Sequence, residues 1–216
     1  MQKSNDIKFE ILHLPPENTN SILVSCGDDC VIFDAWGRAS DWENILRNRG
    51  LNLRAIYATH GHPDHISAAS MLADKFGVDW FLSGQDNYLI SSANDFYDIF
   101  GLPHIPGNYK KPLNLSVGEM EVLPDVKMKV IASPGHTPGG VMFYFPQYKV
   151  LLVGDTIFQD SYGRCDLPGG NEKQLFESVH NLYNLNLPDD VYVVHGHGIE
   201  TTIGWLRENN PWFCSK

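Results

Sequence analysis

Thr59-His60-Gly61-His62-Pro63-Asp64-His65 places four side chains of the metal-ligating kind within six positions. It follows an apolar, strand-like run, Arg54-Ala55-Ile56-Tyr57-Ala58. On a helix His60 and His62 would point about 200° apart. The stretch therefore reads as a loop that folds its imidazoles and carboxylate around one point, with Pro63 interrupting any helix. Imidazole together with carboxylate suits Zn, Fe or Mn, and no cysteine lies in the cluster to suggest a thiolate site.

Around this stretch, 216 residues with 43% hydrophobic content are enough for one globular domain with a complete core, spanning 1–216. The formal net charge of −10 argues against a nucleic-acid partner; two bound divalent cations would offset part of it. No apolar run approaches membrane-spanning length, and Met1 to Asp6 is polar with no hydrophobic segment behind it. These features predict a cytoplasmic protein that does not engage a membrane. Cys26, Cys30, Cys165 and Cys214 lack a zinc-finger spacing and are expected to be reduced.

The chain alternates strand-like and helix-like pieces. Phe9 to Leu14, Ser21 to Ser25 and Val31 to Asp34 are short apolar runs separated by Pro15-Pro16-Glu17-Asn18 and Gly27-Asp28-Asp29, the pattern of an antiparallel meander. Ser40 is placed to cap a helix running to Arg49, with Gly50 ending it. Ile66 to Phe76, ended by Gly77, reads as a helix, Val78 to Leu82 as a strand, and Asp86 to Phe100 as a helix whose Tyr88, Phe96, Tyr97 and Phe100 are core or pocket wall. Gly101 to Pro112 is a loop. Further on, Val126 to Ala132 is followed by Ser133-Pro134-Gly135-His136, Lys149 to Val153 by Gly154-Asp155-Thr156, and Val191 to Val194 by His195-Gly196-His197-Gly198. Four strands thus present His or Asp at their C-terminal ends, as a single site at a sheet edge requires.

These residues resemble the metallo-β-lactamase superfamily, and within it the small glyoxalase II-like (hydroxyacylglutathione hydrolase-like) hydrolases. The motifs are His60-x-His62-x-Asp64-His65, Pro134-Gly135-His136-Thr137-Pro138-Gly139, Gly154-Asp155-Thr156, Gly163-Arg164-Cys165-Asp166, and Gly196-His197-Gly198 with Thr201-Thr202 behind it. The resemblance implies an α/β fold, an αββα sandwich of two mixed β-sheets flanked by helices. It also implies that His60, His62 and His136 hold one metal, that Asp64, His65 and His197 hold a second, and that Asp155 bridges them. Two divalent ions held close together need such an anionic bridge. His195, two residues from His197, is the alternative ligand at that position. His13, His104 and His180 are expected to be structural or on the surface.

The activity implied by this ligand set is metal-dependent hydrolysis. A water between two Zn ions, its pKa lowered from about 15.7 toward 7, is a hydroxide able to attack an acyl carbon. Asp64 orients it, and a thiolate leaves without needing a proton. The expected substrate is a small-molecule thioester such as S-lactoylglutathione; Zn is the expected metal, with Fe and Mn suited to the same donors. The larger glyoxalase II enzymes carry a further C-terminal helical segment that binds glutathione, and the expectation here is that none is present. Substrate contacts fall to Arg164, Tyr162, Lys110 and Lys111, with Arg164 and Asp166 also readable as a buried structural pair. Leu206 stands where the family pattern has Glu, which leaves a pairing with Arg207 open. Trp205, Trp212 and Phe213 either pack on the domain or close a homodimer. Three other functions share these residues: an iron persulfide dioxygenase using His60, His136 and Asp155; a lactone or other ester hydrolase; and a scaffold without catalysis. Relatives that open β-lactams typically place Cys or Ser near the second metal, so antibiotic hydrolysis is not expected.

Overall fold

The computed structural model describes residues 6–15, 19–105, 107 and 109–213. Pro16, Glu17 and Asn18 of the first expected turn, Cys214 and the side chain of Phe100 lie outside the described residues. The chain divides into two compact units, residues 1–115 with 121–126, and residues 116–120 with 127–216.

In the first unit, β1 (Ile7–His13), β2 (Asn20–Cys26), β3 (Asp29–Phe33), β4 (Asn52–Tyr57), β5 (Asp79–Leu82) and β6 (Leu113–Asn114) form one mixed sheet in sequential order. β1, β2 and β3 pair antiparallel, the expected meander, and β3 to β6 pair parallel. Parallel pairing demands crossovers. α1 (Ala39–Arg49) supplies the first, and α2 (Pro63–Ile66) with α3 (Ala69–Phe76) the second. α4 (Asn87–Phe100) precedes β6. Trp42 and Leu46 of α1, Leu72 of α3 and Tyr97 of α4 bury against Leu23, Ile32, Ile56 and Trp80 in one core. Phe33, Tyr57 and Phe81 occupy matched register positions on β3, β4 and β5, and their rings stack at 5.2 and 4.9 Å. Such cross-strand aromatic pairs fix the register.

The helix starts depart from the sequence-based expectation. α1 begins at Ala39 with Arg38 at its N-cap and no side-chain cap, so Ser40 lies inside the helix rather than capping it. Pro63 starts α2 instead of interrupting a helix, because its fixed φ suits the first helical position, where an N–H has no partner to lose. Residues 66–76 are accordingly two helices with a break at 67–68, not one. Gly50 and Gly77 end α1 and α3 in the left-handed conformation, as their positions predict.

The second sheet takes in β7 (Gly118–Leu123), β8 (Val126–Ala132), β9 (Val141–Phe145), β10 (Val150–Gly154), β11 (Tyr192–His195) and β12 (Thr201–Thr202), in the order β12-β11-β10-β9-β8-β7. β10 and β11 are parallel, joined by a crossover through α5 (Glu172–Asn184), and the short α6 (Ile203–Asn209) follows β12. α5 is not among the elements expected from the sequence, although its signals are present. Asn171 caps it by accepting from the Gln174 N–H, and Leu175, Val179 and Leu182 recur on one buried face. Val179 and Leu182 pack with Leu151, Val153, Val193, Ile203, Leu206 and Phe213. Leu206 is fully buried in this cluster. Arg207, preceded by Leu206 where the family pattern has Glu, bonds to the Asp189 carboxylate and to the Leu187 carbonyl. Phe213 packs into the same core, whereas Trp205 and Trp212 remain 43% exposed.

Among the described residues Cys26, Cys30 and Cys165 are free thiols, and burial pushes the Cys30 thiol up to about 12. No helix among them is long and apolar enough to cross a membrane. Replacing Leu206 by Ala should remove about 2–5 kcal/mol of stability, the range for truncating a buried Leu. Urea denaturation checks this, and a loss within experimental error of zero would contradict the packing of α6.

Candidate metal centre

The first unit contributes His60, His62, Asp64 and His65. The parallel strand β4 delivers them, since the chain leaves its C-terminal end at Ala58 and Thr59 and enters α2 at Pro63. His60, His62 and His65 are all buried. Their rings gather closely, with His60 4.8 Å from His62 and 4.1 Å from His65 between centroids. Asp64 Oδ2 lies 3.6 Å from His65 Nε2.

What orients His65, and through Thr59 also His60, is a buried carboxylate that no sequence motif singled out. Asp34 follows β3 with a positive φ of 52° and is 1% exposed. Its Oδ1 accepts the Thr59 N–H at 2.7 Å; its Oδ2 accepts the Thr59 hydroxyl at 2.8 Å and His65 Nδ1–H at 2.9 Å. A carboxylate taken out of water is tolerable only when saturated in this way. With its one proton given to Asp34, the Thr59 hydroxyl accepts from His60 Nδ1 at 3.0 Å. His60 and His65 therefore carry their protons on Nδ1 and their lone pairs on Nε2. A second buried carboxylate, Asp86, accepts the Gly61 N–H at 2.9 Å and steadies the backbone between His60 and His62. The signal for Asp34 was an acidic residue closing the apolar run Val31-Ile32-Phe33.

In the second unit, His136, Asp155 and His197 come from the loops after β8, β10 and β11. Asp155 Oδ2 lies 3.4 Å from His136 Nε2 and 3.6 Å from His197 Nε2. These separations exceed hydrogen-bonding distance. They match the spacing of about 3.4 Å between two donors that each sit about 2.0–2.1 Å from one tetrahedral zinc. His136 Nδ1–H donates to the Arg164 carbonyl at 2.7 Å, which again leaves Nε2 as the lone-pair nitrogen. The donor types, the tautomers and the spacing all fit a divalent metal.

His195 is built differently. It is 1% exposed, its Nδ1 bonds to the Ile157 carbonyl at 2.7 Å and its Nε2 to the Thr201 hydroxyl at 2.9 Å. Burial lowers its pKa and keeps the ring neutral. Both nitrogens are committed to the fold, and His197 is the residue that faces Asp155.

The expected substrate contacts are engaged elsewhere. The Arg164 guanidinium grips the Asp166 carboxylate at 2.7 and 2.6 Å and holds it down to about 2. The two side chains are 62% and 66% exposed, so the pair is a surface one and not buried. Tyr162 donates to Glu172 at 2.9 Å and packs on Phe176 and Trp212. Lys110 Nζ donates to the Val78 carbonyl at 2.5 Å and lies 3.1 Å from the Asp79 carboxylate, and Lys111 is exposed.

Two variants separate these roles. Asp34→Ala should weaken metal binding about 10–100-fold, as loss of a residue that orients a ligand does; competition against a chelator reads this. Arg164→Ala keeps the carbonyl that holds His136, so metal content and melting temperature should stay near wild type. Loss of metal in Arg164→Ala would show that its side chain, not its backbone, supports the centre.

The family model of the metallo-beta-lactamase superfamily matches residues 14–197. Hydroxyacylglutathione hydrolase GloC of Haemophilus influenzae is 35% identical over 189 residues, 87% of this chain and 89% of that protein. Among solved structures, the BLEG-1 B3 metallo-beta-lactamase has a TM-score of 0.85 at 32% identity, covering 96% of this chain and 100% of its own. TTHA1623 in a di-iron-bound form has a TM-score of 0.82, also at 32% identity, covering 94% and 99%. Two mixed β-sheets flanked by helices, a His-rich candidate metal site and a family match over most of the length agree: the chain belongs to the metallo-β-lactamase superfamily.

Proposed function

We propose that this chain is a metal-dependent hydrolase of thioesters, acting on an acyl-thiol of the S-lactoylglutathione kind. Asp155 carries the reading, since one of its oxygens faces the Nε2 atoms of two imidazoles at 3.4 and 3.6 Å. A single anionic group shared between donors is what a pair of close divalent cations requires. His60, His62 and His136 would hold one ion and Asp64, His65 and His197 the other, with Asp155 common to both. Zinc suits this set, and iron and manganese accept the same ligands. When bound, the metals supply Lewis acidity toward the acyl carbonyl and acidify water from a pKa of about 15.7 toward 7.

The chain's own residues have distinct tasks. Asp34, Thr59 and the Arg164 carbonyl hold protons on Nδ1 of His65, His60 and His136, so that each ring offers Nε2 in a fixed direction. Asp64, beside His65 and part-exposed, would accept a hydrogen bond from the attacking water and aim it. A thiolate leaving group needs no proton, so no general acid has to be found among the surrounding side chains. The likeness to the Haemophilus influenzae hydrolase supports a glutathione thioester as the substrate class. A second reading, opening of a β-lactam ring, is favoured by the likeness to BLEG-1.

The test is metal analysis by mass spectrometry on purified protein, beside assays with S-lactoylglutathione, a chromogenic β-lactam, and glutathione persulfide with oxygen uptake. About two metals per chain with thioester turnover is the expected result. A single iron with oxygen uptake would replace the hydrolase with a dioxygenase, and β-lactam turnover alone would establish the second reading. Asp155→Ala should lose metal and reduce hydrolysis by more than about 100-fold, beyond the effect of removing a supporting residue. Near-normal turnover in that variant would refute a two-metal centre.

A further inference from the structure

The loop that begins at Asp155 touches every member of the second unit's donor set. Asp155 opens it, the Phe158 ring lies 6.3 Å from the His197 ring, and the Arg164 carbonyl accepts from His136 Nδ1. The loop folds back on itself through an antiparallel bridge between Ile157 and Tyr162 and a 3.0 Å bond from the Phe158 N–H to the Ser161 carbonyl. Its two arms close tightly at Gly163, where a Cβ would lie 1.8 Å from the Asp155 carbonyl oxygen and 3.2 Å from His136 Nδ1. In so tight a loop, a shift at the tip moves the residues on which His136 and Asp155 rest.

The tip is fastened from outside by Asn210, which is 2% exposed and follows α6. Its Nδ2 donates to the Phe158 carbonyl at 2.8 Å and to the Ser161 carbonyl at 3.0 Å. Its Oδ1 accepts the N–H of Trp212 at 2.8 Å and of Phe213 at 3.2 Å. Two donors and two acceptor positions are all an amide has. All are used, and on two separate stretches of backbone. The partners also fix which way the amide points, because the reverse orientation would set oxygen against two carbonyls and N–H against N–H.

The geometry points to Asn210 as a positioning residue of the metal centre: it clamps the loop 155–164 and, through the Arg164 carbonyl and the Phe158 ring, sets the directions of His136 and His197. This rests on the reading that His136, Asp155 and His197 hold metal. The chemistry selects asparagine. An aspartate keeps the acceptor for Trp212 and Phe213 but turns two donors into a negative charge facing two carbonyls. An alanine removes all four side-chain bonds, leaving the Ser161 carbonyl its bond from the Phe158 N–H and the Phe213 N–H its bond to the residue-210 carbonyl.

The test compares Asn210→Asp with Leu182→Ala, which weakens the same unit by opening a gap under α5. Zn²⁺ affinity by chelator competition, the Co²⁺ absorption spectrum and the melting temperature are measured for each full-length protein. Asn210→Asp should raise the metal dissociation constant about tenfold and alter the Co²⁺ spectrum, the scale typical of residues that support ligands. Leu182→Ala should melt lower while binding metal as wild type does. Asn210→Ser, a milder change that keeps a hydroxyl, should fall between wild type and Asn210→Asp and serves where the aspartate variant does not fold. Wild-type affinity and spectrum in a folded Asn210 variant with a lowered melting temperature would reduce Asn210 to a purely structural role. A wild-type protein that takes up neither Zn²⁺ nor Co²⁺ would bring down the metal reading and this inference with it, and the wild-type titration alone reports that case.

Discussion

An imidazole offers a lone pair in a fixed direction only if its other nitrogen is held by an acceptor, and much of both units is arranged around this constraint. His65 is held by Asp34, His60 by Thr59 and His136 by the Arg164 carbonyl. Each of these acceptors is itself immobilised. Asp34 sits in the left-handed region directly after β3, with its own N–H bonded to the Tyr57 carbonyl at the end of β4. Aspartate tolerates that conformation better than most residues. Its position lets one carboxylate span from one strand end to the start of α2. Removing a single donor from this group would leave charge in a buried site with less to offset it, so the arrangement behaves as a unit.

His195 shows the same constraint from the opposite side. It has the sequence context of a ligand, at the end of a parallel strand and two residues from His197. Bonded at both nitrogens, it has no lone pair to direct outward. It instead joins the end of β11 to Ile157, in the loop after Asp155, and to Thr201 at the start of β12. A ligand-like residue has been absorbed into the support of its neighbours. The loop after Asp155 is thus tied to His195, to His136 and to Asn210 as well as to its other neighbours, which suits a segment that must hold a carboxylate still.

The parts of the molecule legible in the sequence are those that depend on local pattern. Runs such as Val31-Ile32-Phe33 and Val126 to Ala132 announced their strands, Gly50 and Gly77 their helix ends, and the spaced His and Asp residues the candidate donors and the family. What escaped depends on contacts distant in sequence. Asp34 lies 25 positions from Thr59 and 31 from His65, and Asn210 lies 52 from Phe158. No periodicity carries such information. Ser40 misled for a related reason: a capping side chain is recognisable from sequence, but whether the helix begins one residue earlier is decided by how Trp42 and Leu46 reach the core. Pro63 has two opposite local meanings, helix breaker and helix starter, and only the path of the chain out of β4 selects between them.

Substrate recognition is the least legible layer, and the fate of the cationic side chains explains why. Arg164 and Lys110 each had the right chemistry to meet a carboxylate, and each is committed to a neighbour: Arg164 to Asp166, Lys110 to Asp79 and the Val78 carbonyl. A guanidinium in a bidentate pair must give up two charge-assisted bonds before it can bind another anion. On a chain with a net charge of −10, that exchange is further opposed by the surrounding field. On the thioester reading proposed above, the leaving thiolate needs no proton, so the reaction asks little of these side chains.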